Sequence, residues 1–203
     1  MLKIDYKKEM KELYQPSAKK VSIVSVPPMK FLKIDGRGDP NTSPDFASAT
    51  EALFSVAYTL KFMVRQGPLA LDYGVMPQEG LWWAEDMSKF SVDDKSAWLW
   101  TLMIMQPDCI NKQLVTQAID VNIKKKENPA LAKLRYETYK EGKAAQIMHV
   151  GPFTTEGPTV AKVHEFIEAV GSKPTGLHHE IYLSDIRKAA PENWKTVIRQ
   201  PMS

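Results

Sequence analysis

The 203 residues carry 27 lysines and arginines against 24 aspartates and glutamates, a formal net charge of +3, with 43% hydrophobic and 25% charged positions. That is the composition of an ordinary globular chain with enough apolar material for a sizeable core, and it excludes wholesale disorder. The charge is mild and dispersed; its one run, Lys124-Lys125-Lys126, reads as a solvated helix end, so no nucleic-acid partner is expected.

From the start of the chain, Met1 to Glu9 is charged throughout and holds no apolar signal region. No apolar run approaches the roughly 20 residues that span a bilayer. Cys109 is the single cysteine, which excludes an internal disulfide and fits a reducing compartment. The expectation is a cytoplasmic protein with no membrane partner, residues 1–20 forming an N-terminal extension.

Lys30 to Gly36 reads as a strand. Ser43-Pro44-Asp45 then has the form of a helix start, a capping hydroxyl followed by proline at the first helical position. Phe46, Ala49, Leu53, Ala57, Leu60 and Val64 continue at helical spacing up to Gln66-Gly67-Pro68. Leu69–Met76 and Trp98–Gln106 read as strands. Asn111 to Lys126 is a linking helical segment with Leu114, Val115, Ala118 and Ile119 on one face, and a short helix follows through Leu131 and Leu134. The order then recurs: a strand over Ala145–Val150, a helix carrying Val160, Val163, Ile167 and Val170, and strands over His178–Ser184 and Lys195–Gln200.

Two of these segments end alike. Trp100-Thr101-Leu102-Met103-Ile104-Met105-Gln106-Pro107 and Trp194-Lys195-Thr196-Val197-Ile198-Arg199-Gln200-Pro201 align Trp, Ile, Gln and Pro at identical spacing. The chain is therefore expected to be α+β, built as two βαββ repeats. The repeats run over about 21–107 and 143–201, a linker covers about 108–142, and the whole domain spans 21–203. Each helix would cover one sheet face. The other faces would meet around a pseudo-two-fold axis and leave a ligand cleft.

Glu141-Gly142, Gln146 to Phe153 and Glu156-Gly157-Pro158 resemble the opening of the second repeat of GyrI-like small-molecule-binding domains. His179 to Asp185 resembles that repeat's central strand. Gln78-Glu79-Gly80-Leu81-Trp82-Trp83 and Val197 to Pro201 resemble a stand-alone bacterial branch of the same family. The resemblance runs from about Pro27 to Pro201. It implies a cleft for drugs and other hydrophobic, aromatic or cationic small molecules, contacted by a glutamate. Some family members carry helix-turn-helix domains; the segment before Pro27 is expected to be too short for one. Some stand-alone relatives hydrolyse cyclopropane-bearing alkylating natural products.

Strand alternation assigns the candidate residues. On 178–184, Ile181 and Leu183 would face the helix-covered core, while His178, Glu180 and Tyr182 would face the cleft. Tyr73, on the strand taken as equivalent, would lie near them. Trp82, Trp83, Trp98 and Trp100 could supply aromatic walls, and core packing claims some of them. Glu180 would act as a general base on water, its pKa raised in a dry cleft, with Tyr73 or Tyr182 orienting the water. No cofactor is required. Adjacent His178 and His179 diverge on a strand, and His149 and His164 complete no ligand spacing, so no metal is expected. Two rival readings are a non-catalytic binder with Glu180 as counter-charge and a module acting on a DNA topoisomerase. Nothing in the sequence indicates an oligomeric state.

Overall fold

In the computed structural model, which describes residues 2–86 and 95–203, the elements follow one another along the chain as β1 (Leu2–Ile4), α1 (Tyr6–Glu9), α2 (Lys11–Tyr14), β2 (Ser22–Val26), β3 (Met29–Arg37), α3 (Pro44–Gln66), β4 (Leu71–Tyr73) and β5 (Gln78–Trp83). They continue as β6 (Leu99–Gln106), α4 (Lys112–Lys125), β7 (Arg135–Tyr139), β8 (Gly142–Val150), α5 (Gly157–Ala169), β9 (His178–Tyr182) and β10 (Lys195–Pro201). Short 3-10 turns interrupt the chain at Pro129–Lys133, Phe153–Thr155 and Pro191–Asn193. The protein is thus α+β.

Local chemistry explains the helix starts. Ser43 accepts a hydrogen bond from the Phe46 amide, and Pro44 presets the first helical turn of α3. Asn111 caps α4 by accepting from the Leu114 amide at 2.9 Å. Helix α5 is followed by Gly171 at φ +74°, a left-handed conformation that costs glycine least.

The chain divides into two compact units: Met1–Glu9, Met29–Gln78 and Trp82–Tyr139 form the first, and Met10–Pro28, Glu79–Leu81 and Lys140–Ser203 the second. In the first, the strands lie in the order β5 (its Trp82-Trp83 end), β6, β3, β7. β3 runs antiparallel to β6 from Lys30 opposite Gln106 to Arg37 opposite Leu99. α3 buries Ala49, Leu53, Val56, Leu60 and Val64, packing on β3 and β6, and α4 packs on α3. In the second unit the order is β2, β8, β10, β9, followed by Glu79–Leu81 of β5. α5 lays Val163 and Ile167 on Ala145, Ile147 and Ile198. Each such aliphatic side chain contributes about 1.5–3 kcal/mol on full burial.

The successions β3-α3-β5-β6 and β8-α5-β9-β10 share one connectivity, in which the first strand pairs with the last and the last with the third. The two Trp/Ile/Gln/Pro segments belong to the corresponding strands β6 and β10. The strand over Leu69–Met76 is a correction. Only Leu71–Tyr73 is extended, and it pairs in parallel with β1 in a separate two-stranded sheet; β5 takes the place that corresponds to β9. Residues 1–20 are likewise more than an extension, since β1 joins the first unit and α2 buries Leu13 and Tyr14 in the second. Ser22–Val26 pairs with β8, in the second unit.

Trp100 illustrates how tightly the first unit is packed. It lies opposite Gly36 on β3, and a Cβ at position 36 would fall 2.0 Å from its ring carbon Cη2. Phe46 of α3 meets the indole edge-on at 5.2 Å between centroids. Gly36→Ala is therefore expected to destabilise the protein by about 1–3 kcal/mol through overpacking. Urea unfolding measures this; a change near zero would mean that the indole does not rest on Gly36.

Candidate functional site

Antiparallel pairing fixes which way each residue of β9 faces. Directly opposed residues share a face, and Tyr182 opposes Thr196 while Glu180 opposes Ile198. Ile198 packs beneath α5, so Glu180 and Tyr182 lie on the α5 side of the sheet, and His178 with them by alternation. This reverses the orientation read from the sequence, in which the helix covered Ile181. Glu180 is not sealed there, because α5 packs on β8 and β10 and β9 lies one strand beyond. The side chains of His178 and Glu180 remain 14% and 15% exposed.

Glu180 is held by its neighbours on alternate positions. Tyr182 donates its hydroxyl proton to Oε2 at 2.7 Å, and His178 Nε2 lies 3.0 Å from Oε1. Burial pushes the carboxyl pKa up, but the hydrogen bond and charge of His178 and the Tyr182 hydroxyl outweigh it and hold the group below its ordinary value. The raised pKa expected from a dry cleft is thus corrected. Its partner Tyr182 belongs to an aromatic cluster: Phe153 meets Tyr182 at 5.7 Å and Trp194 at 5.0 Å between centroids. Thr196 has a buried hydroxyl with no partner among the described residues.

The opposite face of β9 carries a second polar group that sequence reasoning missed. His179 Nδ1 lies 2.8 Å from Glu141 Oε1, and its Nε2 lies 2.9 Å from Glu79 Oε2. Arg199, opposite His179 on β10, donates to Glu141 Oε2 at 3.1 Å, Gln146 Oε1 at 2.9 Å and the Leu13 carbonyl at 2.6 Å. Tyr14 donates to Glu79 Oε1 at 2.8 Å. Glu79 and Arg199 are completely buried, and His179 is 1% exposed. Burial alone would push the imidazolium pKa down, yet the two carboxylates carry it to about 9. Burial would raise Glu141, but the charges and hydrogen bonds of His179 and Arg199 bring it to about 2. The signal in the sequence was a basic residue at core phase in each apolar strand: His179 beside Ile181, and Arg199 beside Val197.

The remaining candidates lie in the first unit. Trp82, Trp98 and Trp100 are buried, with Trp82 stacked on Phe46 at 6.0 Å and edge-on to Trp98 at 5.4 Å. Trp83 is half-buried. Tyr73 is buried on β4 with its ring 6.2 Å from Tyr6, and its hydroxyl has no partner among the described residues. Burial, with Cys109, Tyr6 and Tyr136 nearby, pushes its pKa up. Among the described residues no three His, Cys, Asp or Glu side chains are placed to hold a metal ion, and no helix is long and apolar enough to cross a membrane.

Residues 19–202 match the GyrI-like small molecule binding domain, and the chain belongs to that family. An uncharacterized conserved protein from Listeria innocua is 42% identical, with 98% of this chain and 100% of that one covered and a TM-score of 0.91. Two further Listeria innocua structures are described as hydrolases. One is 41% identical (TM-score 0.88, covering 99% and 100%) and the other 39% identical (0.85, covering 98% and 100%). The EcmrR C-terminal domain, 13% identical with a TM-score of 0.54 over 91% of this chain and 97% of that one, shares the fold. Among curated proteins no relative matches the chain.

The buried charges set a pH window. His179 has its folded pKa raised to about 9 from an ordinary 6.5, so its contribution is complete below pH 6.5 and is lost as pH rises through 9. Glu141 is lowered to about 2 from 4.5, so its contribution is complete above pH 4.5 and is lost as pH falls through 2. Stability from this pair is greatest between pH 4.5 and 6.5. Denaturant titrations at pH 6 and above pH 9 should differ by roughly 3 kcal/mol at most from His179, and the fall should shrink in His179→Asn. An equal fall in that variant would remove His179 as its source.

Proposed function

We propose that this protein hydrolyses small hydrophobic electrophiles, specifically cyclopropane rings conjugated to a dienone, and that water activation depends on Glu180. Membership of a small-molecule-binding family and two similar structures described as hydrolases support the reading. The observation that carries it is Glu180, held by Tyr182 and His178, with the Tyr182 ring packed on Phe153, which in turn meets Trp194. Aromatic faces receive a flat ring system.

The chemistry asks little of the protein. Water oxygen bonds to the cyclopropane methylene carbon, the carbon–carbon bond to the ring breaks, and its electron pair restores aromaticity as a phenolate. The proton lost by water is returned to that phenolate, so the product is the substrate plus one water. Positioning and proton transfer supply the acceleration. Action in the cytoplasm, on a genotoxic compound that has entered the cell, belongs to the same reading.

A second reading, a non-catalytic binder of aromatic cations, is favoured by the lowered pKa of Glu180, which makes it a standing counter-charge. Incubation with a synthetic spirocyclopropyl dienone and mass spectrometry separate the two. Hydrolysis predicts a product one water heavier, with Glu180→Gln lowering kcat by about 10²-fold or more at little change in KM. The binder reading predicts no turnover by the parent protein and weaker binding of an aromatic cation by the Gln variant.

A further inference from the structure

The proton acceptor of this reaction is a separate matter from the residue on which it depends. Glu180 is poorly suited to accept a proton. Each of its oxygens already receives a hydrogen bond, from His178 and from Tyr182. Those donors favour the charged form, and a carboxylate stabilised in this way is a weaker base.

His178 has the complementary properties. An ionised carboxylate can only accept, so the His178 nitrogen 3.0 Å from Glu180 Oε1 carries the proton, and that nitrogen is Nε2. In the neutral ring the lone pair then resides on Nδ1, which has no hydrogen-bond partner among the described residues. The side chain is 14% exposed, so water or a ligand reaches it. Resting on the hydrolase reading above, we infer that His178 Nδ1 is the general base that takes the proton from water, and that Glu180 is the positioning residue that fixes its tautomer and stabilises the imidazolium formed.

The step balances without a further reactant. The water O–H bond breaks, its proton goes to Nδ1, and the oxygen bonds to the methylene carbon as the ring-opening electron pair moves into the dienone. The imidazolium then returns a proton to the phenolate through solvent. Among the described residues, Glu180 on its own strand and His164 on α5 are ionisable groups that act on His178. His164 is itself pushed down by burial and by the charge of His178, and it has Glu168 as an opposing acid. An imidazolium formed at His178 would face the Glu180 carboxylate at 3.0 Å.

The decisive comparison uses His178→Asn and Glu180→Gln in the full chain, with a spirocyclopropyl dienone as the probe. Imidazole nitrogen NMR of the parent protein is recorded alongside. A base at Nδ1 requires the neutral ring to be protonated at Nε2 in the parent, with that preference lost in Glu180→Gln. His178→Asn should lower kcat by about 10²–10⁴-fold with KM within a few-fold. Parental turnover that survives His178→Asn, or a neutral ring protonated at Nδ1, would overturn this assignment and leave the hydrolase reading intact. A parent protein that hydrolyses no such probe would overturn both. If His178→Asn unfolds, His178→Gln, with circular dichroism as the check on folding, carries the same kinetic comparison.

Discussion

Four ionised side chains buried in the second unit have to cancel one another's charge. Glu79 and Glu141 supply two negative charges, and His179 and Arg199 two positive ones, in a place where water reaches none of them. Taking such groups out of water costs several kcal/mol each, and mutual attraction offsets that only when every partner is in position. The register of β10 against β9 provides this by setting Arg199 opposite His179. The same register sets Ile198 opposite Glu180 on the other face, so the geometry of the candidate site is tied to the packing of the buried charges. A one-residue slip would exchange the two faces.

Adjacent residues of one short strand therefore meet opposite fates. His179 is locked between two carboxylates and has no freedom to exchange a proton near neutral pH. His178 and Glu180, on the α5 side, keep a share of exposed surface. The difference lies in what covers each face. α2 brings Leu13 and Tyr14 over the first, whereas α5 packs chiefly on β8 and β10 on the second.

Much of this architecture was legible because its signals are local. The Ser43-Pro44 start of α3, the Asn111 cap of α4 and the apolar run of β6 each depend on residues close in sequence. The pairing of Glu180 with His178 and Tyr182 was legible for the same reason, since alternation alone puts the three on one face. What failed depends on distant partners. Leu71–Tyr73 looks like a sheet strand but pairs with Leu2–Ile4, and Arg135–Tyr139 becomes a strand only because β3 offers it an edge. Which face of β9 the helix covers could not be read from β9, because the answer lies in Val163 and Ile167. The lowered pKa of Glu180 was hidden likewise: burial raises it, and only the closeness of His178 and Tyr182 decides the sign.

The buried charges also carry a consequence for how the chain reaches its fold. Arg199 and Leu13 are 186 residues apart, His179 and Glu79 are 100 apart, and Tyr14 and Glu79 are 65 apart. No short loop closes any of these contacts, so the ordering entropy of long segments has to be met before the charges can meet. Until β10 docks, Glu141 lacks the Arg199 guanidinium on its second oxygen, which disfavours compact states that omit the last strand. The network thus works as a completeness test during folding: a partly assembled second unit is unstable in proportion to the charge it leaves uncompensated, and cooperativity is built into the interior through electrostatics.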